Sequence, residues 1–384
     1  MAAKCVKMLS VWITSSFSAV LTPTAVALGN FDGLHLGHRQ VVLPILNQVG
    51  MPDPLAISTR GSLATSDLTN TLSRSLHNNS GLLPPVAEDN SDRYKFDPIE
   101  PACATVLTFS PHPQEFFSGQ PRKLLTPPAE KVALLRAMGV KQLVLLPFDR
   151  ELAALTPEEF VKEILVRKLQ AKRISVGLDF CFGRSRSGTA TDLAAIAATY
   201  NIDVTLVPLY TYSGERISSS VIREALQNGD LQRANQLLGR PYSLSGIVVE
   251  GQQIGRTIGF PTANLQLPPE KFLPRFGVYA VRVFLEEQTE EEVSQEIKSD
   301  PNFCSPILGV MNIGCRPTVE GVSPTVEVHL LDWCGDLYGK TLTVNLEYFL
   351  RPEQKFPSLE ALKAQIQEDC AVAQKRYVVG LEPP

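Results

Sequence analysis

The chain has 384 residues, 44% hydrophobic and 20% charged, a globular balance that excludes disorder as the main state. At that length two domains are the default. A net charge of −4 and a pI near 5.8 give no global basic field, so nucleic acid is excluded as the main partner and anionic small molecules stay open. The seven cysteines are widely spaced with no C-x-x-C, which points to buried, inert thiols in a reducing, cytoplasmic setting rather than to disulfides or zinc.

The N-terminal stretch from Met8 to Phe31 carries no charge, follows Lys4 and Lys7, and contains Ala25-Val26-Ala27, which imitates a signal-peptidase site. Ser10, Thr14, Ser15, Ser16, Ser18, Thr22 and Thr24 make it polar, and Pro23 interrupts it, so neither a secretory signal nor a membrane span is expected. All-apolar runs at Ala25–Leu28, Thr105–Phe109, Gln142–Leu146, Ile174–Gly177 and Val204–Val207 suit a parallel sheet buried on both faces. Helical patterns alternate with them. One runs from Gln40 to Val49, one from Ala129 to Met138 with a stop at Gly139, and one starts at the capping box Thr156-Pro157-Glu158-Glu159. This alternation predicts an α/β fold, a doubly wound domain over residues 1–238. Residues of about 51–100, rich in Ser, Asn, Pro and Asp, read as a flexible insertion.

Past Gly239 the texture changes to short β-type runs at Tyr242–Glu250, Gly277–Phe284, Ile307–Ile313, Thr325–Leu331 and Leu342–Phe349. Gly and Pro punctuate them, as in an antiparallel barrel. A second polar insertion spans about 286–306, and a helix from about Ser358 carries Leu359, Leu362 and Ile366 as its buried stripe. The second domain is therefore expected over 239–384, with the boundary near Leu238–Pro241.

The strongest chemical signal is Gly29-Asn30-Phe31-Asp32-Gly33-Leu34-His35-Leu36-Gly37-His38, placed after a strand and opening a helical stretch. Open α/β sheets bind ligands at strand C-termini against helix N-termini, and glycines let backbone approach phosphates. Imidazoles donating to a triphosphate would stabilise charge that builds as pyrophosphate leaves. Ile217-Ser218-Ser219-Ser220-Val221-Ile222-Arg223 supplies hydroxyls, helix-start N–H groups and a guanidinium, a second anion site. Further on, Pro261-Thr262-Ala263-Asn264 offers a hydroxyl and an amide, oxygen donors suited to Mg²⁺, or else an ordinary turn. Glu327 alternates with Val326 and Val328, and His329 shares its strand face. Gly335-x-x-x-Gly339-Lys340-Thr341 is one residue short of a P-loop and lies between strands, so it is not read as one.

The HxGH turn with a downstream ISSS-x-IR resembles the nucleotidyltransferase superfamily. Thr108–Pro113, Val176–Gly183, Gly259–Asn264, Asn312–Thr318, Val326–Asp332, Asp336–Lys340 and Leu350–Pro352 follow in order. Together these blocks resemble the bifunctional prokaryotic riboflavin kinase/FMN adenylyltransferase (FAD synthetase) family. The resemblance implies two activities. An N-terminal module adenylylates FMN to FAD with ATP, releasing pyrophosphate, and a C-terminal module phosphorylates riboflavin to FMN. It implies His35 and His38 as the first module's catalytic pair. Gly29, Phe31, Asp32, Gly33, Gly37, Ser218, Ser220 and Arg223 would lie on ATP, as would Gly259 and Pro261 in the second module. Asp179, Phe180, His112 and Arg351 would contact flavin. Thr262 and Asn264 would hold Mg²⁺ with ATP, and Glu327 would be the base for the riboflavin 5′-hydroxyl. Leu178 and Cys181 depart from the acidic and basic residues usual there. The implied partners are riboflavin, FMN and ATP, with no nucleic acid and no membrane, and a homo-oligomer stays open. A tRNA-charging enzyme shares HxGH, but the acidic pI and the lack of an anticodon-binding region argue against it. A non-catalytic flavin binder on the same folds is opposed by the intact His35, His38, Thr262, Asn264 and Glu327.

Overall fold

A computed structural model describes residues 11–46, 102–251, 254–285, 306–318 and 321–379. The insertion expected at about 51–100 lies outside them, as does the second one apart from Pro306. Strands are numbered in chain order. In the first half β1 is Trp12–Thr14, β2 Thr24–Leu28, β3 Cys103–Ser110, β4 Gln142–Pro147, β5 Ala171–Gly177 and β8 Asp203–Val207. Two small hairpins are formed by β6 (Cys181–Phe182) with β7 (Gly188–Thr189), and by β9 (Thr211–Tyr212) with β10 (Glu215–Arg216).

The main sheet has six strands in the order β1-β4-β3-β2-β5-β8, and every pair is parallel. All five expected strands are present, and β1 is an edge strand that the polar N-terminal sequence concealed. Alternate residues of β2 face opposite sides. Val26 and Leu28 join a cluster with Phe160, Leu165 and Leu193, whereas Ala25 and Ala27 join Val42, Ile45 and Leu135. Helices thus cover both faces, the doubly wound arrangement. From β2 the chain steps outward through β3 and β4, then β5 returns to the other side of β2. That reversal puts the ligand crevice at the C-terminal end of β2, where the HxGH loop begins.

The helix expected at Gln40–Val49 instead spans Leu36–Val42, with His35 as its N-cap, and passes into a 3₁₀ turn Leu43–Ile45. A histidine ring can cap because its unprotonated nitrogen accepts a backbone N–H, a role the apolar periodicity does not reveal. The expected capping box is formed by Thr156 and Glu159, and the helix continues as a π-helix to Lys168.

The second half is a closed antiparallel barrel, β11-β12-β15-β14-β13-β16. These are Tyr242–Val249, Ala263–Gln266, Gly321–Leu330, Ile307–Thr318, Gly277–Leu285 and Thr341–Pro352 respectively. The short β12 was not expected: Pro261-Thr262-Ala263-Asn264 enters a strand rather than forming only a turn. Leu244, Val248, Tyr279, Val281, Met311, Ile313, Val328 and Val344 fill the interior in one cluster with Ile222, Leu226 and Leu237 of the preceding helices Ser219–Asn228 and Leu231–Leu238.

The last helix spans Leu359–Val379 and lies on the barrel's outer face through Cys370, Ala373 and Tyr377. Leu359, expected in its buried stripe, is 56% exposed: the helix meets the barrel only beyond its first turn, with Leu362 and Ile366 half-buried. The cysteines also differ from expectation. All five described are free thiols, but only Cys370 is buried, while Cys315 and Cys334 sit exposed in the barrel strand β14 and in the loop after β15. No described helix is long and apolar enough to cross a membrane.

Candidate active sites

The first site is built on the loop after β2. Phe31 and Leu34 take left-handed backbone at φ 48° and 41°, and Gly33 at φ 92°. Left-handed non-glycine residues cost energy, and here burial of Phe31 and Leu34 in the sheet's core holds them. At Gly37 a Cβ would come within 3.2 Å of the His35 ring, a tight approach that glycine avoids.

His35 Nδ1 accepts from the His38 backbone N–H at 3.2 Å. The two rings stack with centroids 3.6 Å apart and planes 17° from parallel. Burial, reinforced by Arg240, lowers the His35 pKa from 6.5 to about 4, and Asp32 opposes the shift. Burial, then His35 and Lys131, hold His38 well below the ordinary histidine value. Both imidazoles are therefore neutral near pH 7. With Nδ1 accepting, the His35 proton sits on Nε2, which becomes a donor. His38 Nδ1 is buried with no hydrogen-bond partner among the described residues.

The flanking residues divide into holders and exposed groups. Asp32 is 4% exposed and turns inward. Its Oδ1 accepts from the backbone N–H of Leu125 at 2.8 Å and of Thr126 at 3.3 Å, and its Oδ2 pairs with Arg223. Ser218 caps the helix Ser219–Asn228 by accepting from the Val221 N–H, and Ser220 is exposed. Ser219, between them in the same motif, donates to the Asp32 carbonyl at 2.7 Å. Thus the ISSS-x-IR helix is tied to the HxGH loop through Asp32.

Gly29, which leads out of β2, has its open side against the Phe31 ring. His112 caps the helix Pro113–Ser118 by accepting from the Gln114 N–H, and burial followed by Arg122 lowers its pKa to about 4. Asp179, past β5, is paired with Arg216, whereas Phe180 stacks on Phe182 at 5.8 Å. His112 and Asp179 stand beyond the C-terminal ends of β3 and β5, on the edge that carries HxGH. Phe117, absent from the sequence reading, is 71% exposed and meets Phe116 and Phe148 edge-on.

The second site lies on the outer face of the barrel. In register across five strands stand Asn264, Glu327, Asn312, Val278 and Arg351. Their chain neighbours Leu265, Val326, Val328, Met311, Ile313 and Tyr279 point into the barrel core, so pleating puts this row outside. Thr262, Glu327, Asn312, His329 and Arg351 line a cavity of about 310 Å³ between the barrel and the last helix. Phe260, Val278, Phe356, Leu362 and Ile366 make its apolar side.

His329 Nδ1 lies 2.8 Å from the Pro261 carbonyl, which can only accept, so Nδ1 carries the proton. That bond fixes the Gly259–Thr262 turn, where Gly259 has φ 87°. Arg351 is held by Asp369 of the last helix through Nε at 3.0 Å and Nη2 at 2.8 Å, and its guanidinium lies over Phe356. A Cβ on Gly251 would collide with the Asn264 amide, and one on Gly255 would come within 3.3 Å of Thr262 Oγ1. The glycines thus leave a cradle beside two hard oxygen donors, which fits Mg²⁺. Among the described residues no group of three or more His, Cys, Asp or Glu side chains could hold a metal instead.

Every expected residue of the second module except Gly259, Pro261 and Asn264 lines the cavity, and those three flank its Thr262 and Glu327. Asn312 and Asp369 were missed as site residues. The alternation of Asn312 between Met311 and Ile313 was the available signal, whereas nothing in the sequence marks Asp369 as the partner of Arg351.

Residues 238–377 match the riboflavin kinase family, and residues 99–221 match the FAD synthetase family. A bifunctional riboflavin kinase/FMN adenylyltransferase from Escherichia coli K12 is 41% identical over 73% of this chain and 83% of its own. One from Haemophilus influenzae is 34% identical over 92% of this chain and 94% of its own. A crystal structure of a macrolide-efflux protein from Streptococcus pneumoniae covers 95% of this chain and 99% of its own, with a TM-score of 0.69 and 26% identity.

Proposed function

The chain belongs to the bifunctional riboflavin kinase/FMN adenylyltransferase family, and from that premise we propose which residues carry each half of the work. It phosphorylates riboflavin to FMN in the barrel module and adenylylates FMN to FAD in the parallel-sheet module. A boundary at 238/239 is supported by the end of the helix Leu231–Leu238 before β11 begins at Tyr242. The reducing setting that the cysteine spacing points to supports a cytoplasmic site of action.

In the first module an FMN phosphate oxygen attacks the α-phosphorus of ATP, and the bond to pyrophosphate breaks. His35 donates from Nε2 to the phosphate chain, and His38 stacks on it as the second donor. Neutral donors stabilise the charge gathering on the leaving pyrophosphate without a proton having to move. Gly29, Gly33 and Gly37 keep the loop close enough for backbone N–H groups to join them. Asp32 shapes this loop rather than meeting ATP, because its carboxylate is satisfied by Leu125, Thr126 and Arg223. Ser218, Ser220 and Arg223 bring the second helix start to the phosphates. His112, Asp179 and the exposed Phe117 ring border the flavin side, and Phe180 supports them from its stack on Phe182.

In the second module Glu327 orients the riboflavin 5′-hydroxyl and takes its proton as the oxygen attacks the γ-phosphorus. Thr262 and Asn264 would hold Mg²⁺ with ATP, with Gly259 and Pro261 forming the turn beneath the phosphates. The ion, when bound, neutralises phosphate charge. The apolar side of the cavity, from Val278 to Ile366, receives the flavin ring, with Arg351 at its edge.

The observation that carries this reading is the register of Asn264, Glu327 and Asn312 on three adjacent strands, a carboxylate flanked by two amides, which supports Glu327 as the base next to the proposed Mg²⁺-ATP donors. Glu327→Gln keeps the shape and removes the basic oxygen. Loss of a general base costs about 10²–10⁴-fold, so riboflavin phosphorylation should fall by that order. Fed riboflavin, the variant should make little FMN or FAD; fed FMN, it should make FAD at the parental rate. Phosphorylation at the parental rate would make Glu327 a bystander.

A further inference from the structure

Lys271 is a buried ammonium that neither half-reaction uses. Its side chain is 1% exposed, in the loop between β12 and β13 of the barrel module. It pairs at 2.5 Å with Glu130, which belongs to the first module and is 10% exposed, and its ammonium lies 4.6 Å from the Tyr242 ring centre. The same ammonium donates to the Leu125 carbonyl at 2.9 Å. The Leu125 N–H, on the other side of that residue, donates to Asp32 at 2.8 Å.

The surrounding backbone is zipped in the same place. The Leu124 N–H donates to the Glu270 carbonyl at 2.6 Å, and the Phe272 N–H to the Leu124 carbonyl at 2.9 Å. Arg223, paired with Asp32, rests over the Phe272 ring at 5.5 Å. Arg240 adds a bond from the barrel side, to the Gly33 carbonyl at 2.9 Å. A buried polar chain therefore runs from Glu130 through Lys271, Leu125 and Asp32 to Arg223, and it crosses from one module to the other.

We propose that Lys271, carried by the riboflavin kinase module, is a positioning residue for FAD formation. It holds Leu125 so that Asp32 fixes the HxGH loop against the ISSS-x-IR helix. The dependence is one-way: the barrel's outer-face site contains nothing from the first module among its lining residues. This inference rests on the assignment of FAD formation to the His35–His38 site.

The test uses the full chain, supplied with FMN in one assay and riboflavin in another, each well below the variant's melting midpoint. Lys271→Met leaves Glu130 buried without its cation, which by itself destabilises. The paired variant Glu130→Gln/Lys271→Met removes both charges and isolates the bond to Leu125. In both variants kcat for FAD formation should fall at least tenfold, with riboflavin phosphorylation at the parental rate. If the paired variant regains parental FAD formation, Lys271 only balances Glu130, and the proposal is wrong. Loss of both activities together would overturn it too, because Lys271 would then support the whole fold. His38→Ala separates the premise: if that variant still makes FAD, the site assignment has failed, whatever Lys271 does.

Discussion

Burial keeps the His35 and His38 rings neutral, and at His35 it outweighs the opposing Asp32 carboxylate. Removing one donor of this kind typically costs about 10²–10³-fold in kcat. His38→Ala should therefore lose FAD formation by that order at saturating FMN and ATP, while riboflavin phosphorylation is unchanged. The same burial has a consequence for stability. Folding lowers the His35 pKa from 6.5 to about 4, so the unfolded chain takes up the proton first as pH falls. The stabilisation from neutral His35 is intact above pH 6.5 and is lost progressively towards pH 4. His38 and His112 shift in the same direction. Urea midpoints should fall across that window, and less steeply in His35→Asn, whose amide oxygen can still cap the helix. Equal slopes in parent and variant would show that His35 burial is not the cause.

At the scale of elements, the barrel site is a product of pleating. Five strands put Asn264, Glu327, Asn312, Val278 and Arg351 in one outward row. The last helix then closes that row into a cavity, fastened by Arg351 and Asp369, whose side chains are 17% and 5% exposed. Breaking such a pair from one side leaves a charge without its partner, at about 3 kcal/mol for a buried case. Asp369→Ala should lower the stability of the barrel module by about that amount. It should also raise the KM for riboflavin, since the helix carries Leu362 and Ile366 of the apolar side. Isothermal urea unfolding and a riboflavin titration measure the two effects; unchanged values for both would detach the helix from the site.

Over the whole molecule, the cores do not stop at the proposed 238/239 boundary. Ile222, Leu226 and Leu237, before residue 239, share a buried cluster with Leu244, Tyr279 and Val344 of the barrel. Apolar burial couples the groups that share it, and the Lys271–Glu130 pair adds a second tie. Calorimetry of the intact chain should show one cooperative transition that riboflavin with ADP shifts upward as a unit. Separate peaks, only one of which moves with ligand, would show that the modules unfold independently.

The sequence by itself determined the two-module order and the main strands of each, and it marked the residues proposed for both sites. It could do so because buried strands read as apolar runs or alternations, and because phosphate and Mg²⁺ chemistry needs glycines, histidines and oxygen donors at short spacing. His35 as a cap, β1 and β12 were not legible. A ring nitrogen replaces the usual capping oxygen, and both strands are short, ordered by neighbours that pair with them. Only the tertiary structure decided that Asp32 and Arg223 bind each other, that Asp369 secures Arg351, and that Lys271 reaches Leu125. Each is a contact between residues at least 18 positions apart in the chain, and Lys271 is 146 from Leu125. Periodicity and motif spacing report what lies along a segment. The partner of a buried charge depends on where the folded chain returns to meet it.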